Sequence, residues 1–427
     1  MIDLNLILSV FFIAMILLYM SWLVLIYLPK REREYPENCS APLSIIVPAH
    51  NEENMIRETI KALIEAEYCG TKEIIVVNDG STDNTERILK EAASKENNVR
   101  YINTDHLGKA GAINAGLKIA RGDIILTLDA DSKVERSAIK RITAPFSNND
   151  IGAVSGIIAC IVSNRNILTW FQDFEYVLSS GWRYALNRVN STYIFPGFAA
   201  YRKDALNAIG GFNKDTLAED FDIGIRLKKA GYGLTMSSAL IYTKVPETLR
   251  GLLRQRIRWG RGTVQVMKKH SDVLFNKKYG IMSLYAIPSQ MYWYVHGFIV
   301  VPITFYQIFD GYNKYFVANN NILSWDVLKY FFNWFTAYGM YDYTQKALTG
   351  EYTFTTVFLL AMAVFLLGLV YNMAIISKIS RMRLRYIFVM FFFFPYSVLM
   401  LTAYTVPSII DMLPMKLKKT NAWEKSE

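Results

Sequence analysis

The sequence predicts an α/β domain, a parallel sheet covered by helices on both faces, held in a chain that also carries membrane helices. Three observations predict it. Strand and helix signals alternate from about Pro42 to Asp131, the pattern of a parallel sheet with crossover helices. Several acidic or amide residues (Asn51, Asp79, Asp129, Asp131) fall where strands end, and ligands of such sheets bind beyond the carboxyl ends of the strands. The chain is 52% hydrophobic with a mean hydropathy of +0.16, too apolar for a soluble protein of 427 residues.

The elements follow in order. Leu4–Leu28 is almost wholly apolar and of bilayer length. It lacks a basic n-region and a small-residue cleavage site, so a removable signal peptide is not expected. Lys30, Arg31 and Arg33 follow it and favour a cytoplasmic exit. Leu43–Val47 reads as a strand, Glu52–Glu67 as a helix with Ile56, Ile60, Leu63 and Ile64 on its apolar face, and Glu73–Val77 as a second strand. Ser81 or Asp83 can cap a helix running through Ser94. Val99–Asn103, Ala110–Ala120 and Asp123–Leu128 give strand, helix and strand. Asn166–Arg188 has an aromatic face (Trp170, Phe174, Val177, Leu178) at helical spacing and too many charges to span, which suits an interfacial or a core helix. Phe221–Ala230 is helical, and Asp220 before it can cap the helix or serve as a base.

Three further spans are expected at about Ile281–Phe309, Phe354–Ser377 and Tyr386–Ile410, each edged with Tyr or Trp. Basic clusters on both sides of the last one (Lys378, Arg381, Arg383 and Arg385; Lys416, Lys418 and Lys419) conflict with a single crossing. Either Pro395 and Pro407 bend that segment back, or Val327–Tyr341 supplies an extra weak span. The net charge of +10 then reflects juxtamembrane residues facing anionic lipid; nucleic acid is not an expected partner, because no basic stripe interleaved with aromatics occurs. Cys39, Cys69 and Cys160 form neither a metal-type pair nor a disulfide framework, consistent with a reduced cytosolic domain.

Chemistry concentrates in a few loops. Asp129-Ala130-Asp131 closes an apolar strand, and the two-residue strand period sends both carboxylates to one side, where oxygen ligands suit Mg²⁺ or Mn²⁺. Asp79-Gly80 offers a carboxylate for a base or ribose edge beside a glycine that permits close approach. Gly108-Lys109 opens a helix whose first amides can face a phosphate. Four arginines surround Trp259 in Arg254–Arg261, a composition that suits either a membrane-surface helix or a diphosphate and sugar-ring contact.

Taken in order, Pro48–Glu52, Asn78–Asp83, Gly108–Ala110, Asp129-Ala130-Asp131, Glu219-Asp220 and Gln255-x-x-Arg258-Trp259 resemble the membrane-integrated, inverting family 2 glycosyltransferases, the hyaluronan, chitin, cellulose and poly-N-acetylglucosamine synthases. Pro246–Leu249 and the small apolar C-terminal module look most like the bacterial poly-β-1,6-N-acetylglucosamine synthases. The resemblance implies a GT-A-type fold at 30–275, a membrane helix at 1–29, a membrane module at 276–412 and a polar tail at 413–427. It implies a UDP-sugar donor, best guessed as N-acetylglucosamine, contacted by Pro48, Asn51, Glu52, Asp79, Lys109, Asp129, Asp131 and Arg258, with Asp129 and Asp131 on the metal. Asp220 would be the base; Gly197, Glu219, Gln255 and Trp259 would hold the growing glycan. A multi-pass plasma-membrane protein with a cytoplasmic catalytic domain and accessory export or modifying proteins follows from the same likeness. Ala218 departs from the Thr that many relatives carry, which bears on acceptor fit, and a single N-terminal span leaves the export pore in doubt. The rival chemistry is single transfer to a lipid acceptor.

Overall fold

The computed structural model describes residues 3–28, 35–37, 39–163 and 165–412. The expected basic cluster at Lys30, Arg31 and Arg33 and the polar tail 413–427 lie outside the described residues.

Helix α1 (Leu4–Tyr27) is capped by the Asp3 carboxylate, which accepts from the Asn5 and Leu6 amides. The elements of the sheet-bearing domain follow: β1 (Leu43–Ala49), α2 (Ile56–Glu65), β2 (Lys72–Asp79), α3 (Thr85–Lys95), β3 (Val99–Thr104), α4 (Lys109–Ile119), β4 (Ile124–Leu128), β5 (Ser132–Val134), α5 (Ala138–Thr143), β6 (Ile151–Cys160), α6 (Ile167–Asn187), β7 (Phe198–Arg202), α7 (Lys203–Ala208), α8 (Glu219–Lys229), β8 (Gly233–Thr243) and α9 (Leu249–Lys269). Then come α10 (Ile287–Tyr315), α11 (Trp325–Phe335), α12 (Tyr338–Leu348), α13 (Thr356–Ile379), α14 (Leu384–Phe391), α15 (Phe393–Thr405) and α16 (Ile409–Met412).

The eight strands form one sheet in the order β3-β2-β1-β4-β7-β6-β8-β5. The expected parallel strands β3, β2, β1 and β4 are present in that arrangement. Beyond β4 the sheet is mixed: β7 runs antiparallel to both β4 and β6, while β6 and β8 are parallel. Every residue of β1 is buried, as expected of a strand covered on both faces. Its odd positions Ile45 and Val47 pack with Ile60, Leu63 and Leu89, and the even position Ile46 packs with Ile113, Ile125 and Ile223 on the opposite face.

α1 packs against α10 and α13, joining Trp22, Tyr371 and Trp293 in one aromatic cluster. Phe174 and Val177 of α6 enter the same cluster, so one side of α6 packs against α1 and α13. Among the described residues, α1, α13 and Phe393–Met412 are long and apolar enough to cross a membrane. The expected span at Ile281–Phe309 is helical from Ile281, passing through a π-helical stretch at Met282–Ala286 into α10, which runs on to Tyr315 and carries Pro302 in its interior. Val327–Tyr341 is broken at Thr336–Ala337 into α11 and α12.

Tyr386–Ile410 is also broken, at Phe392, between α14 and α15. Both of its ends attach to helices of the sheet-bearing domain. Arg383, Arg385 and Tyr386 bond the buried Asp173 of α6, while Asp411 accepts from Arg261 and Gln265 of α9. Phe393–Met412 within this stretch is nonetheless long and apolar enough to cross a membrane, and Lys416, Lys418 and Lys419 lie outside the described residues.

Candidate active site

The local backbone of the site is built by loops that hold one another. Asn51 takes a left-handed φ of 54°, its amide donates to Ser81 Oγ at 3.0 Å, and its Oδ1 accepts from the Thr82 amide at 2.8 Å. The Glu52 amide donates to Thr85 Oγ1 at 2.8 Å. Pro48 is the sixth residue of β1 and lines the cleft. Asn51 and Glu52 therefore stitch the loop after β1 to the loop after β2. Asp83 does the same from the other side, accepting from the Glu53 and Thr85 amides.

Asp79 is wholly buried. Its carboxylate accepts from Thr104 Oγ1 at 2.6 Å and from the Leu107 and Gly108 amides at 2.6 and 2.8 Å. Expected to touch a base or ribose, it also ties down the loop that leads into α4. A carboxylate with three short donors keeps that loop in place.

Asp129 and Asp131 do not lie on the strand. β4 ends at Leu128, and the Ser132 amide donates to Asp129 O at 3.1 Å, closing a turn over residues 129–132. The strand-period argument for their common direction therefore fails. Asp129 faces Lys109 and Gly197, whereas Asp131 Oδ1 accepts from Thr243 Oγ1 at 3.3 Å. Burial and the neighbouring Asp129 push the Asp131 carboxyl up to about 6.

Lys109, first residue of α4, bridges the two halves of the site: Nζ lies 2.7 Å from Asp129 Oδ1 and 3.1 Å from Glu219 Oε1. Burial alone would lower its ammonium, but Asp129 and Glu219 reverse the sign and hold it protonated. Glu219 and Asp220 open α8 and are driven apart. Burial and the Glu219 charge push the Asp220 carboxyl up to about 6. For Glu219, burial is outweighed by Lys109 and Arg258, which hold it below the usual carboxylate range. Adjacent carboxylates with separated titrations give one fixed anion and one group able to take a proton near neutrality.

Pro48, Lys109, Asp129, Gly197, Glu219 and Asp220 share a cleft whose apolar wall includes Phe195 and Tyr201. Gly197 has φ 52°, its carbonyl accepts from the Asp129 amide at 3.2 Å, and a Cβ there would sit 3.0 Å from Asp129 Oδ2. Arg258 of α9 acts electrostatically on both Glu219 and Asp220. Gln255 accepts from Arg256 one residue on, and Trp259 rests against Tyr176 with centroids 6.1 Å apart. Of the expected residues, six line the cleft, Arg258 acts on it from α9, and Asn51, Glu52 and Asp79 shape it from behind. Sequence reasoning passed over Glu175 and Arg256, whose pairing across 81 positions leaves no local signal.

Among the described residues no three or more His, Cys, Asp or Glu side chains converge as a metal cage. Asp129 and Asp131 supply hard oxygen donors, a set that suits an ion which keeps its remaining positions for water and phosphate oxygens.

The Glycosyl transferase family 2 model matches residues 44–210. The chain is 30% identical over 303 residues, 69% of each protein, to the poly-β-1,6-N-acetyl-D-glucosamine synthase of Staphylococcus epidermidis. It is 33% identical over 248 residues to the probable glycosyltransferase YdaM of Bacillus subtilis, a match covering 55% of this chain and 58% of that protein. The fold is similar to that of the mannosyltransferase PcManGT from Pyrobaculum calidifontis, solved in complex with GDP-Man and Mn²⁺, with a TM-score of 0.60 at 20% identity over 88% of this chain and 97% of that one.

Proposed function

This chain belongs to the family 2 glycosyltransferases, and we propose that it extends a polysaccharide by processive, inverting transfer of N-acetylglucosamine from UDP-N-acetylglucosamine at the membrane. The observation that carries the reading is the joining of Asp129, Lys109, Glu219 and Asp220 in one cleft beside α9, the helix bearing Gln255, Arg258 and Trp259. The similarity to a poly-β-1,6-N-acetyl-D-glucosamine synthase over 69% of its length supports the sugar.

In this reading Asp220 accepts the proton of the acceptor hydroxyl while that oxygen attacks the anomeric carbon in line. The new bond forms from acceptor oxygen to carbon, the bond from carbon to the diphosphate oxygen breaks, and UDP departs with inversion. Asp220 is suited to the task because its pKa, pushed up to about 6, leaves it ionised yet basic at neutral pH. Lys109 and Arg258 supply positive charge for the leaving diphosphate, and Glu219 fixes Lys109. Asp129 and Asp131 would hold Mg²⁺ or Mn²⁺, which when bound neutralises charge on the diphosphate. Trp259 offers an indole face for a sugar ring of the acceptor.

The test supplies purified protein in proteoliposomes with labelled UDP-sugars and Mg²⁺ or Mn²⁺. A polymer formed from UDP-N-acetylglucosamine alone, digestible by a β-1,6-N-acetylglucosaminidase, is expected. A single-sugar, solvent-extractable glycolipid would replace this reading with a lipid-acceptor enzyme.

A further inference from the structure

Arg256 is completely buried in the middle of α9. A guanidinium survives there only with an anion in good geometry. Its partner is Glu175 of α6, met in a two-pronged contact: Nε to Oε1 at 3.1 Å and Nη2 to Oε2 at 2.7 Å. The same guanidinium lies 4.3 Å from the Trp259 ring centroid, so it fixes the indole from behind. Glu175 Oε2 also accepts from the Tyr396 hydroxyl of α15 at 2.5 Å, and the Tyr396 ring stacks on Phe171 at 5.0 Å.

A second chain of contacts begins at the other end of the same segment. Asp411, in α16, accepts from Arg261 Nε at 2.7 Å and from Gln265 Nε2 at 3.0 Å. Gln265 Oε1 in turn accepts from the Leu217 amide at 3.0 Å, two residues before Glu219. Gly262 packs against Ala218 at the same place. Between these two anchors, Gly260 lets the Tyr404 backbone come directly against α9, leaving no space for a Cβ. Residues 393–411 thus run along α9 and touch what holds Trp259 at one end and the Asp220 loop at the other.

We propose that this segment is a brace for the acceptor subsite, with Tyr396 and Asp411 as positioning residues that act through Arg256 and Gln265. The ligand they serve is the end of the growing glycan, and the proposal rests on the acceptor role of Trp259 and the base role of Asp220 given above. Neither residue lines the cleft, so donor binding does not depend on them.

The experiment compares full-length wild type with Tyr396→Phe and Asp411→Asn, each purified in detergent. UDP affinity with Mn²⁺ is measured by calorimetry, acceptor KM with N-acetylglucosamine oligosaccharides, product length by electrophoresis, and donor hydrolysed without transfer by UDP release. Tyr396→Phe removes one oxygen atom and keeps the stacked ring, so it separates positioning from folding. Each variant is expected to keep UDP affinity within about twofold and to raise acceptor KM about tenfold, in line with a lost hydrogen bond to a charged group. Shorter products and a larger hydrolysed fraction accompany the change. Unchanged acceptor KM and length would overturn the brace, as would a parallel fall in UDP affinity and transfer. If the wild type itself forms no oligosaccharide, the proposed function fails, and that outcome is distinct from both.

Discussion

Asp220 should set the acid limb of the transfer rate, and its neighbour should set where that limb lies. The carboxyl is pushed up to about 6, by burial first and then by the negative charge of Glu219. A base must be unprotonated to accept the acceptor proton, so the rate falls as pH drops through that value. A group titrating there is ionised in roughly nine molecules of ten at pH 7 and one of ten at pH 5, so the rate should fall about tenfold between them. Asp131 titrates in the same range, and a fall in rate alone would not separate the two. Glu219→Gln does, because the Glu219 charge is the second cause of the Asp220 shift, whereas the leading causes at Asp131 are burial and Asp129. Removing that charge should lower the Asp220 pKa and move the acid limb down, each pH unit of movement reporting about 1.4 kcal/mol of relieved repulsion. Burial remains, so the limb should stay above that of a free aspartate. The assay is kcat against pH at saturating donor and metal, with UDP release followed continuously. A limb that does not move, or moves up, would refute the base assignment or the coupling behind it.

Lys109→Met should displace the same limb in the opposite direction, since Lys109 lowers the Asp220 pKa, and it should weaken UDP binding measured by calorimetry. Gly197→Ala should cost about 1–2 kcal/mol in strain from the left-handed backbone and press on Asp129 Oδ2, so Tm should fall modestly and donor turnover steeply. Leu126→Ala, in the buried centre of β4, should cost about 2–5 kcal/mol in a thermal or denaturant unfolding curve while leaving the titration of the site unmoved. A protease site added at the C-terminus should be cut in membrane vesicles only from the face that exposes the catalytic domain, because Arg383, Arg385 and Asp411 are all bonded to α6 and α9; cleavage only from the opposite face would mean that Phe393–Met412 crosses.

What the sequence made legible was local. β1, β2 and β4 are centred on runs of branched apolar residues, β3 is a mixed edge strand, and the helices between them dictate parallel pairing. The loop residues Asn51, Asp83 and Lys109 were recognisable from type and position. Their partners were not, because Lys109 meets Glu219 and Asp173 meets Arg385 across more than a hundred positions. At Asp79 the sequence showed a carboxylate at a strand end but not the Leu107 and Gly108 amides that it accepts from, which lie 28 and 29 positions on. Hydropathy did not show the break at Phe392 in Tyr386–Ile410, and the contacts that tie its two ends to α6 and α9, at Asp173 and Asp411, are far away in sequence.

The departure from an all-parallel sheet explains why donor and acceptor groups meet. β4 is the last strand of the parallel half, and β7 returns antiparallel to it with Leu128 opposite Phe198. The residue after the end of one strand, Asp129, therefore lies beside the residue before the start of the other, Gly197, and their backbones are joined at 3.2 Å. The end of β1 brings Pro48 and the turn after β4 brings Asp129 to this edge, α4 brings Lys109, and the antiparallel half brings Gly197 and, through the Phe195 amide donating to Asp220 O at 3.3 Å, the start of α8. A ligand cleft at a point where strand direction reverses is what open α/β sheets provide. Here the reversal also carries the chain toward α6, α9 and the membrane helices. On the proposed function, the parallel half would hold the nucleotide while the other half presents Asp220 as the base and Trp259 as the acceptor's indole. That division along the strand reversal is what would bring the reactive carboxylate to the junction of donor and acceptor.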